Sequence, residues 1–443
     1  MYNFKNCDSR CVISPPISPL LRTLKEGRCK LMTDGVNNRR IKVILLTSSY
    51  PSSSDVVSRN FMTDLVESLT DKEIDIFIIC PHQQNLPFRE EQKNITIIRF
   101  PYWFTASGQK LGGAGGIVPS INRSFLAKVQ LIPFFIFQFI VTMRTVKKEK
   151  IDLIHSHWVI PQGFVGALVR FITGIPHVVS IHGTDIHLIH SYRITHPFMN
   201  MVARCTNCIT TNSSHTNQLL MDVISKKNIN SSIIPMGIYP EQFQSESPTS
   251  NKKELKILFV GRLIDLKGIC HLITAMKTVI SMIDNVHLKI IGNGPERVKL
   301  EQLTNVLGIS SRVQFIDNTG REKLLLHYND ANLFVLPSIT INGQTEGLGV
   351  VLLEAMASGV PVIGSNTGGI PDIITDGVNG LLVPPGDPDA LAAAIITILE
   401  NPEMADKFTT EGLKTVKERF SWDKISDQFI EVYQRVLNES NKV

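Results

Sequence analysis

The stretch Glu346-Gly-Leu-Gly-Val-Val-Leu-Leu-Glu354-Ala-Met-Ala-Ser-Gly-Val-Pro-Val-Ile-Gly364 contains the only charged residue between Gly347 and Pro371, which is Glu354. A lone carboxylate in such an apolar run is costly to bury unless a polar group hydrogen-bonds it. The glycines after Glu346 permit a tight turn, and residues 350–358 predict a buried helix that ends at Gly359 before a strand at 361–365. Because a loop that leads into a helix N-terminus favours an anion, the two carboxylates flank a predicted site for a phosphorylated, hydroxyl-rich ligand.

Further motifs accompany this stretch in a fixed order along the chain. They are Asp152-Leu-Ile-His-Ser-His157, Ser180-Ile-His182-Gly-Thr-Asp185, Gly261-Arg262-Leu-Ile-Asp-Leu-Lys267-Gly268, Ile291-Gly-Asn-Gly-Pro-Glu-Arg297, Leu336-Pro-Ser338 and Gly368-Gly-Ile-Pro-Asp372. With the spacing Glu346-x7-Glu354, the set resembles the retaining glycosyltransferases of the GT-B fold, family 4 of the sugar transferases. The resemblance extends from about Ile41 to the C-terminus. It implies transfer of a sugar from a nucleoside diphosphate donor to a glycan or lipid-linked acceptor, in envelope or exopolysaccharide assembly.

The resemblance also implies roles for individual residues. The predicted catalytic residues are His182, Arg262, Lys267 and Glu346. The predicted donor-binding residues are Gly261, Arg262, Lys267, Gly292, Glu346, Gly347, Leu348, Gly349, Val350 and Glu354, with Glu354 on the ribose and the two cations on the diphosphate. On the acceptor side it implies His157 and Asp185. It implies no metal and no cofactor, because cations at the end of a strand can neutralise the leaving diphosphate.

Strand and helix patterns alternate along the chain from residue 41. The predicted strands are 41–47, 74–80, 95–100, 153–155, 177–182, 255–260, 286–291, 313–316, 333–336, 361–363 and 380–383, and helices are predicted at 59–69, 124–148 and 161–172. Such alternation with apolar strands predicts two doubly wound parallel sheets that face an interdomain cleft. We expect a disordered extension at 1–40, an acceptor domain at 41–242, a donor domain at 243–420 that opens with a polar linker at 243–253, and a helix at 421–443 that returns to the first domain.

Charge is divided unevenly between the two halves. Residues 1–250 carry 26 Lys and Arg against 17 Asp and Glu, and residues 251–443 carry 19 against 23. The apolar tract 131–143 is followed by Arg144, Lys147, Lys148 and Lys150. Thirteen residues are too few to span a bilayer, which takes about 20. Two interpretations remain open, namely a buried core helix and a helix that holds residues 131–150 against the inner face of the cytoplasmic membrane.

Other chemistries are less well supported by the sequence. Cys205 and Cys208 have no second pair at zinc spacing, and the scattered cysteines favour a cytoplasmic chain. Asp387-Pro-Asp389 is typical of a helix start with Asp387 as the N-cap, rather than of a metal-binding pair. Gly292-Asn-Gly294 lacks the third glycine of a dinucleotide fingerprint, because Arg297 stands there. Nothing indicates nucleic acid as a partner. A GT-B nucleotide-sugar epimerase and a non-catalytic nucleotide-sugar-binding protein remain as alternatives.

Overall fold

The computed structural model describes residues 40–51, 61–111, 117, 120–121, 124–225, 229–243 and 254–440. Residues Ile41–Val443 form one compact unit. The predicted disordered extension up to residue 39, the glycine-rich segment 112–116 and the predicted linker from residue 244 to 253 lie outside the described residues.

The first half of the chain folds around one eight-stranded sheet within the described residues. Its strands are β1 (Ile41–Leu46), β2 (Ile74–Pro81), β3 (Arg89–Gln92), β4 (Ile95–Phe100), β5 (Leu153–His157), β6 (His177–Ile181), β7 (Cys208–Thr211) and β8 (Ser231–Ile233). The helices are α1 (Phe61–Thr70), α2 (Phe125–Glu149), α3 (Phe164–Thr173), α4 (Thr184–Ser191), α5 (His196–Arg204) and α6 (Ser214–Val223). The strand order is β3-β4-β2-β1-β5-β6-β7-β8, with only β3 antiparallel to its neighbour.

Strands β3, β7 and β8 were not predicted from the sequence. β3 reads Arg-Glu-Glu-Gln and β8 reads Ser-Ser-Ile, so neither has an apolar run, and both are edge strands. Strand β7 has only four residues, Cys-Ile-Thr-Thr. These strands form by pairing with a longer neighbouring strand, and this pairing leaves no periodic pattern in their own sequence.

The second half has a six-stranded parallel sheet in the described part of the chain. Its strands are β9 (Leu255–Val260), β10 (Val286–Ile291), β11 (Val313–Ile316), β12 (Leu333–Leu336), β13 (Val362–Ser365) and β14 (Leu381–Val383). The helices are α7 (Ile269–Met282), α8 (Arg297–Val306), α9 (Arg321–Asn329), α10 (Val350–Ala357), α11 (Ile370–Ile373), α12 (Pro388–Glu400), α13 (Pro402–Thr415) and α14 (Trp422–Ser440). The order β11-β10-β9-β12-β13-β14 reverses direction between β9 and β12, where doubly wound sheets bind ligands.

The last helix belongs to the core of the first sheet. Trp422, Ile425, Phe429 and Tyr433 of α14 are buried in one cluster with apolar residues of β1, β2 and α1. Trp422 also covers Gly237, where a Cβ atom would lie 2.8 Å from the indole ring. The chain therefore crosses back from the second sheet and closes the core of the first.

Helix α2 matches the predicted helix 124–148 within one residue at each end and is longer than the apolar tract 131–143. It has 25 residues and is the one helix of the described chain that is long and apolar enough to cross a membrane. The length argument from residues 131–143 was therefore wrong, because Phe125, Leu126, Ala127 and Val129 extend the apolar part of the same helix toward its N-terminus. One face of α2 packs on the sheet through Phe134, Gln138 and Val146, which are buried. The opposite face of its first half is exposed.

Candidate active site

The switch point of the second sheet places Lys267 beside Glu346. Lys267 ends a short 3-10 turn after β9, and Glu346 lies in the loop between β12 and α10. The Lys267 Nζ lies 2.5 Å from Glu346 Oε2, which also accepts a hydrogen bond of 3.1 Å from the Ser338 hydroxyl. Both charged side chains are only 14% exposed. The structure therefore brings together a cation and a carboxylate that the sequence separates by 79 positions.

Close backbone packing holds the loops around this pair. A Cβ atom at Gly292 would lie 1.9 Å from the carbonyl oxygen of Gly261, so the loops after β9 and β10 touch through their backbones. A Cβ atom at Gly369 would lie 2.2 Å from the carbonyl oxygen of Gly347, and the Gly369 amide donates to the carbonyl of Glu346 at 3.0 Å. The motif Gly368-Gly369 is therefore the support on which the turn after Glu346 rests.

The predicted anion site lies at the start of α10. Gly349 precedes the helix with φ of 93°, a conformation that favours glycine, and the helix begins at Val350. Leu348 is buried, so at this position only its backbone remains for a ligand. The unpaired amides of the first turn favour a phosphate or a sugar hydroxyl there.

Glu354 projects from α10 and has a buried partner. The hydroxyl of Tyr328, on α9, donates to Glu354 Oε2 at 2.7 Å. Burial raises the pKa of Glu354, while the hydrogen bond from Tyr328 and the positive charge of Arg321 oppose that rise. The sequence argument for a polar partner was sound, but nothing in the sequence identified Tyr328 as that partner.

Arg262 lies on the same edge of the sheet but apart from the pair. It is exposed in the loop after β9, and its guanidinium is not part of the contact between Lys267 and Glu346. Asp387 accepts hydrogen bonds from the amides of Asp389 and Ala390, so the Asp387-Pro-Asp389 segment is a helix cap as predicted. Among the described residues, no group of three or more His, Cys, Asp or Glu side chains is arranged to hold a metal ion.

The first domain contacts the turn 346–349 through His182 and Gly183. A Cβ atom at Gly183 would lie 3.3 Å from the Cα of Gly347, so the two backbones are in contact across the cleft. The carbonyl of His182 accepts a hydrogen bond of 3.3 Å from the Asn212 side chain. His182 therefore lies at the boundary of the two domains, beside the turn that carries Glu346.

His157 lies beside His182 and is fully buried. It is the last residue of β5 and is 0% exposed. Its Nδ1 lies 2.9 Å from His182 Nε2, and the two rings stack at 5.2 Å between centroids. Burial lowers the pKa of His182 to about 3, so its ring is neutral at neutral pH. We therefore interpret His157 as a residue that orients His182, and its contact with the acceptor stays a prediction.

Asp185 fixes the backbone around the same histidine. Its carboxylate accepts hydrogen bonds from the amides of His182 at 3.2 Å and Val159 at 3.1 Å. Burial raises the pKa of Asp185 to about 6, and these backbone hydrogen bonds oppose the rise. Asp185 thus ties the ends of β5 and β6 together, and its role on the acceptor side stays a prediction.

Acid should destabilise the first domain through its buried histidines. His155, His157 and His177 are all 0% exposed, and burial lowers the pKa of His177 to about 3 and of the other two well below 6.5. Below about pH 6.5 the unfolded chain therefore binds protons that the folded chain excludes, so stability present above that pH is lost as the pH falls. Each such histidine should contribute up to about 1.4 kcal/mol per pH unit.

Urea unfolding at a series of pH values measures this dependence. His177→Gln should flatten the loss of stability on acidification, and His190→Gln, which changes an exposed histidine on α4, should leave it unchanged. A free energy of unfolding that is constant from neutral pH to about pH 5 would show that these histidines are not excluded from protonation.

Comparisons with known proteins agree with this architecture. The chain matches the family Glycosyltransferase Family 4 over residues 59–242 and the family Glycosyl transferases group 1 over residues 240–415. It is 32% identical over 310 residues to the glycosyltransferase MJ1607 of Methanocaldococcus jannaschii, a match that covers 65% of this chain and 76% of the relative. It is 27% identical over 431 residues to the putative teichuronic acid biosynthesis glycosyltransferase TuaC of Bacillus subtilis, which covers 90% and 100% of the two chains.

A solved structure with the same arrangement of sheets is sucrose-phosphate synthase from Thermosynechococcus elongatus. It superimposes with a TM-score of 0.73 at 24% identity and covers 90% of this chain and 100% of its own. This likeness supports the GT-B fold of two parallel-sheet domains. The chain therefore belongs to the group 1, family 4 glycosyltransferases, which include enzymes of the cell envelope.

Proposed function

We propose that this glycosyltransferase moves a sugar from a nucleoside diphosphate donor to a hydroxyl group, with retention of the anomeric configuration. The observation that carries the proposal is the group formed by Lys267, Glu346 and the first turn of α10 at the switch point of the second sheet. Glu354 lies in the next turn of α10. Its carboxylate is suited to accept hydrogen bonds from the ribose hydroxyl groups. Such a group provides one contact for each part of a nucleotide sugar.

Each contact has a defined task in this proposal. Lys267 and Arg262 neutralise the charge that develops on the leaving diphosphate, and the α10 amides add their dipoles. Glu346 accepts hydrogen bonds from the sugar once Lys267 turns toward the phosphate. The acceptor hydroxyl attacks from the face that the diphosphate leaves, and a phosphate oxygen receives its proton. His182, neutral at working pH, hydrogen-bonds the sugar from the opposite domain.

The proposal includes transfer without a metal ion, because the two cations supply the positive charge that a metal would supply. Incubation with UDP-, GDP- and ADP-sugars, with and without EDTA, tests it through the nucleoside diphosphate released. We expect one class of donor to release its nucleoside diphosphate both with and without EDTA. Activity that EDTA removes and Mg²⁺ restores would contradict the metal-free part of the proposal.

The same incubation separates transfer from epimerisation. An epimerase needs no acceptor and leaves the nucleotide attached to an altered sugar, whereas a transferase releases the nucleoside diphosphate. A protein that only binds nucleotide sugars would produce neither change.

We further propose that the first domain contacts an anionic membrane, where a lipid-linked acceptor would be found. The exposed large apolar side chains of the first half of α2 are Phe125, Leu126, Val129, Ile132, Ile136 and Phe137, with the exposed Lys128 among them, and we call these six the α2 apolar face. Helix α3 packs beside α2 and adds the exposed Phe171 and Ile172. No Asp or Glu occurs between Lys93 and Lys148. An apolar face in a region without carboxylates matches a negatively charged bilayer surface.

Charge reversal should abolish this attachment. Changing Arg144, Lys147, Lys148 and Lys150 to Glu should lower sedimentation with phosphatidylglycerol vesicles by more than about tenfold, since each basic residue near such a surface contributes about 1 kcal/mol. The four side chains are exposed, so folding and nucleotide binding should be unchanged. The matched control changes four exposed lysines elsewhere, Lys277, Lys323, Lys407 and Lys424, to Glu and should still sediment. Equal loss in both variants, or wild type that never sediments at low salt, would contradict the assignment.

A further inference from the structure

Tyr328 is held rigidly with its hydroxyl directed at Glu354. It lies near the end of α9 and is 0% exposed. Its ring packs against Phe334 at 5.8 Å and Phe243 at 6.4 Å between centroids. Because the ring is enclosed by other rings, the direction of the hydroxyl is fixed by the core rather than by the ligand site.

The hydroxyl is what distinguishes this residue from a phenylalanine. A phenylalanine would fill the same space, and a buried hydroxyl is destabilising unless it is hydrogen-bonded. Here it makes a bond of 2.7 Å to Glu354 Oε2. The bond occupies one oxygen of the carboxylate and leaves Oε1 for another donor.

We propose that Tyr328 is a positioning residue for the donor, which holds Glu354 Oε2 so that Oε1 is aimed at a ribose hydroxyl of the nucleoside diphosphate. The inference rests on the proposed function, in which Glu354 contacts the ribose. It adds that Glu354 does not act alone, and that a residue of α9 sets the geometry of the nucleotide site.

The charged form of Glu354 depends on the same contact. Burial is the main effect and raises the pKa of Glu354, whereas Tyr328 and Arg321, both on α9, lower it. Helix α13, segment 416–420 and the turn Pro240–Gln242 with its Glu241 also pack on α10, but in the described part of the chain no charged group of these elements acts on Glu354. Loss of the hydroxyl should therefore raise the pKa of Glu354 further. Since an ionised carboxylate accepts stronger hydrogen bonds than a protonated one, nucleotide affinity should then fall at a higher pH.

The test is calorimetric titration of the full-length protein with UDP, GDP and ADP between about pH 5 and pH 8. Tyr328→Phe should lower the affinity for the nucleotide that wild type binds by about tenfold at neutral pH, because a hydrogen bond to a charged group is lost. Its loss of affinity on acidification should also begin at higher pH than in wild type. Tyr102→Phe is the matched control, because Tyr102 is another fully buried tyrosine whose hydroxyl bonds far from the donor site, to the amide of Leu111.

A double variant shows whether Tyr328 acts through Glu354. With Glu354→Gln in place, Tyr328→Phe should have little additional effect on nucleotide affinity. If the two losses add in full, or if Tyr328→Phe binds like wild type throughout the pH range, the inference is overturned. If Tyr328→Phe and Tyr102→Phe weaken nucleotide binding equally, the effect is one of general packing, and the inference is again overturned. Wild type that binds none of the three nucleotides would instead overturn the proposed function.

Discussion

Replacing Lys267 with alanine should lower kcat by about 10²- to 10³-fold, the size of effect seen when one preorganised group that stabilises developing charge is removed. Lys267 lies 2.5 Å from Glu346 at the switch point, and its side chain is only 14% exposed. In the proposed reaction it neutralises the leaving diphosphate, so its loss affects the transition state more than the ground state. Steady-state kinetics with the donor that gives turnover measures the change.

The control for Lys267 is another enclosed ion pair in the same domain. Lys256 and Asp330 lie 2.6 Å apart, with side chains 17% and 22% exposed. Lys256 is on β9 and Asp330 follows α9, so this pair lies outside the loop that carries Lys267. Lys256→Ala should therefore cost a similar amount of stability while kcat stays within a few-fold of wild type. If Lys267→Ala keeps wild-type turnover, or if both variants lose kcat alike, the diphosphate assignment is wrong.

Replacing Gly369 with alanine should also remove most activity, because the added methyl group would collide with the turn that carries Glu346. The Cβ atom would lie 2.2 Å from the carbonyl oxygen of Gly347 and 2.8 Å from the Cα of Leu348. Both neighbours are backbone, so the turn itself must move. Such overpacking should cost about 1–3 kcal/mol of stability and displace the α10 amides from the donor.

Donor affinity and urea unfolding together measure the Gly369→Ala effect. Gly320→Ala is the control, since a Cβ atom there meets nothing within 4 Å. The φ angle of Gly320 is −61°, which alanine adopts without strain. We expect Gly320→Ala to match wild type in both measurements. A Gly369→Ala variant with wild-type donor affinity would show that the turn is not the donor site.

Much of this fold could be predicted because its strands are near-continuous apolar runs. Strands β9 to β12 begin and end where the sequence indicated, since β9, β10 and β12 are mostly buried apolar runs and the edge strand β11 keeps three apolar residues out of four. The edge strands β3 and β8 could not be predicted, because their residues are mostly polar and each strand pairs with a single neighbour, β3 in a hairpin with β4 and β8 with β7.

The residues of the candidate site were named through the resemblance and their roles stay predictions, whereas the contacts between them could not be predicted from the sequence. The sequence indicated that Glu354 needs a polar partner, yet Tyr328 lies in a helix whose sequence gives no sign that its hydroxyl faces α10. The resemblance implied Lys267 on the diphosphate and Glu346 among the donor-binding residues, and the structure shows that the two side chains pair directly. Long-range pairing depends on the order of strands in the sheet, which periodicity does not encode.

The function of Asp372 was likewise hidden in the sequence. In the sequence, the motif Gly368-Gly-Ile-Pro-Asp372 indicated only the resemblance to the GT-B glycosyltransferases. In the structure Asp372 Oδ2 accepts a hydrogen bond of 2.5 Å from the amide of Ser214 at the N-terminus of α6, in the other domain. A carboxylate at a helix N-terminus is favourable, so this contact joins the two domains beside the cleft.

Retention is the central chemical claim, and the anomer released first from an α-linked nucleotide sugar tests it most directly. Proton NMR of the donor with the enzyme, with water or an added glycan as acceptor, identifies the anomer before mutarotation mixes the two forms. Same-face attack at the group formed by Lys267, Glu346 and the α10 amides predicts the α anomer. Early appearance of the β anomer, or of an epimerised sugar still attached to its nucleotide, would contradict the proposed reaction.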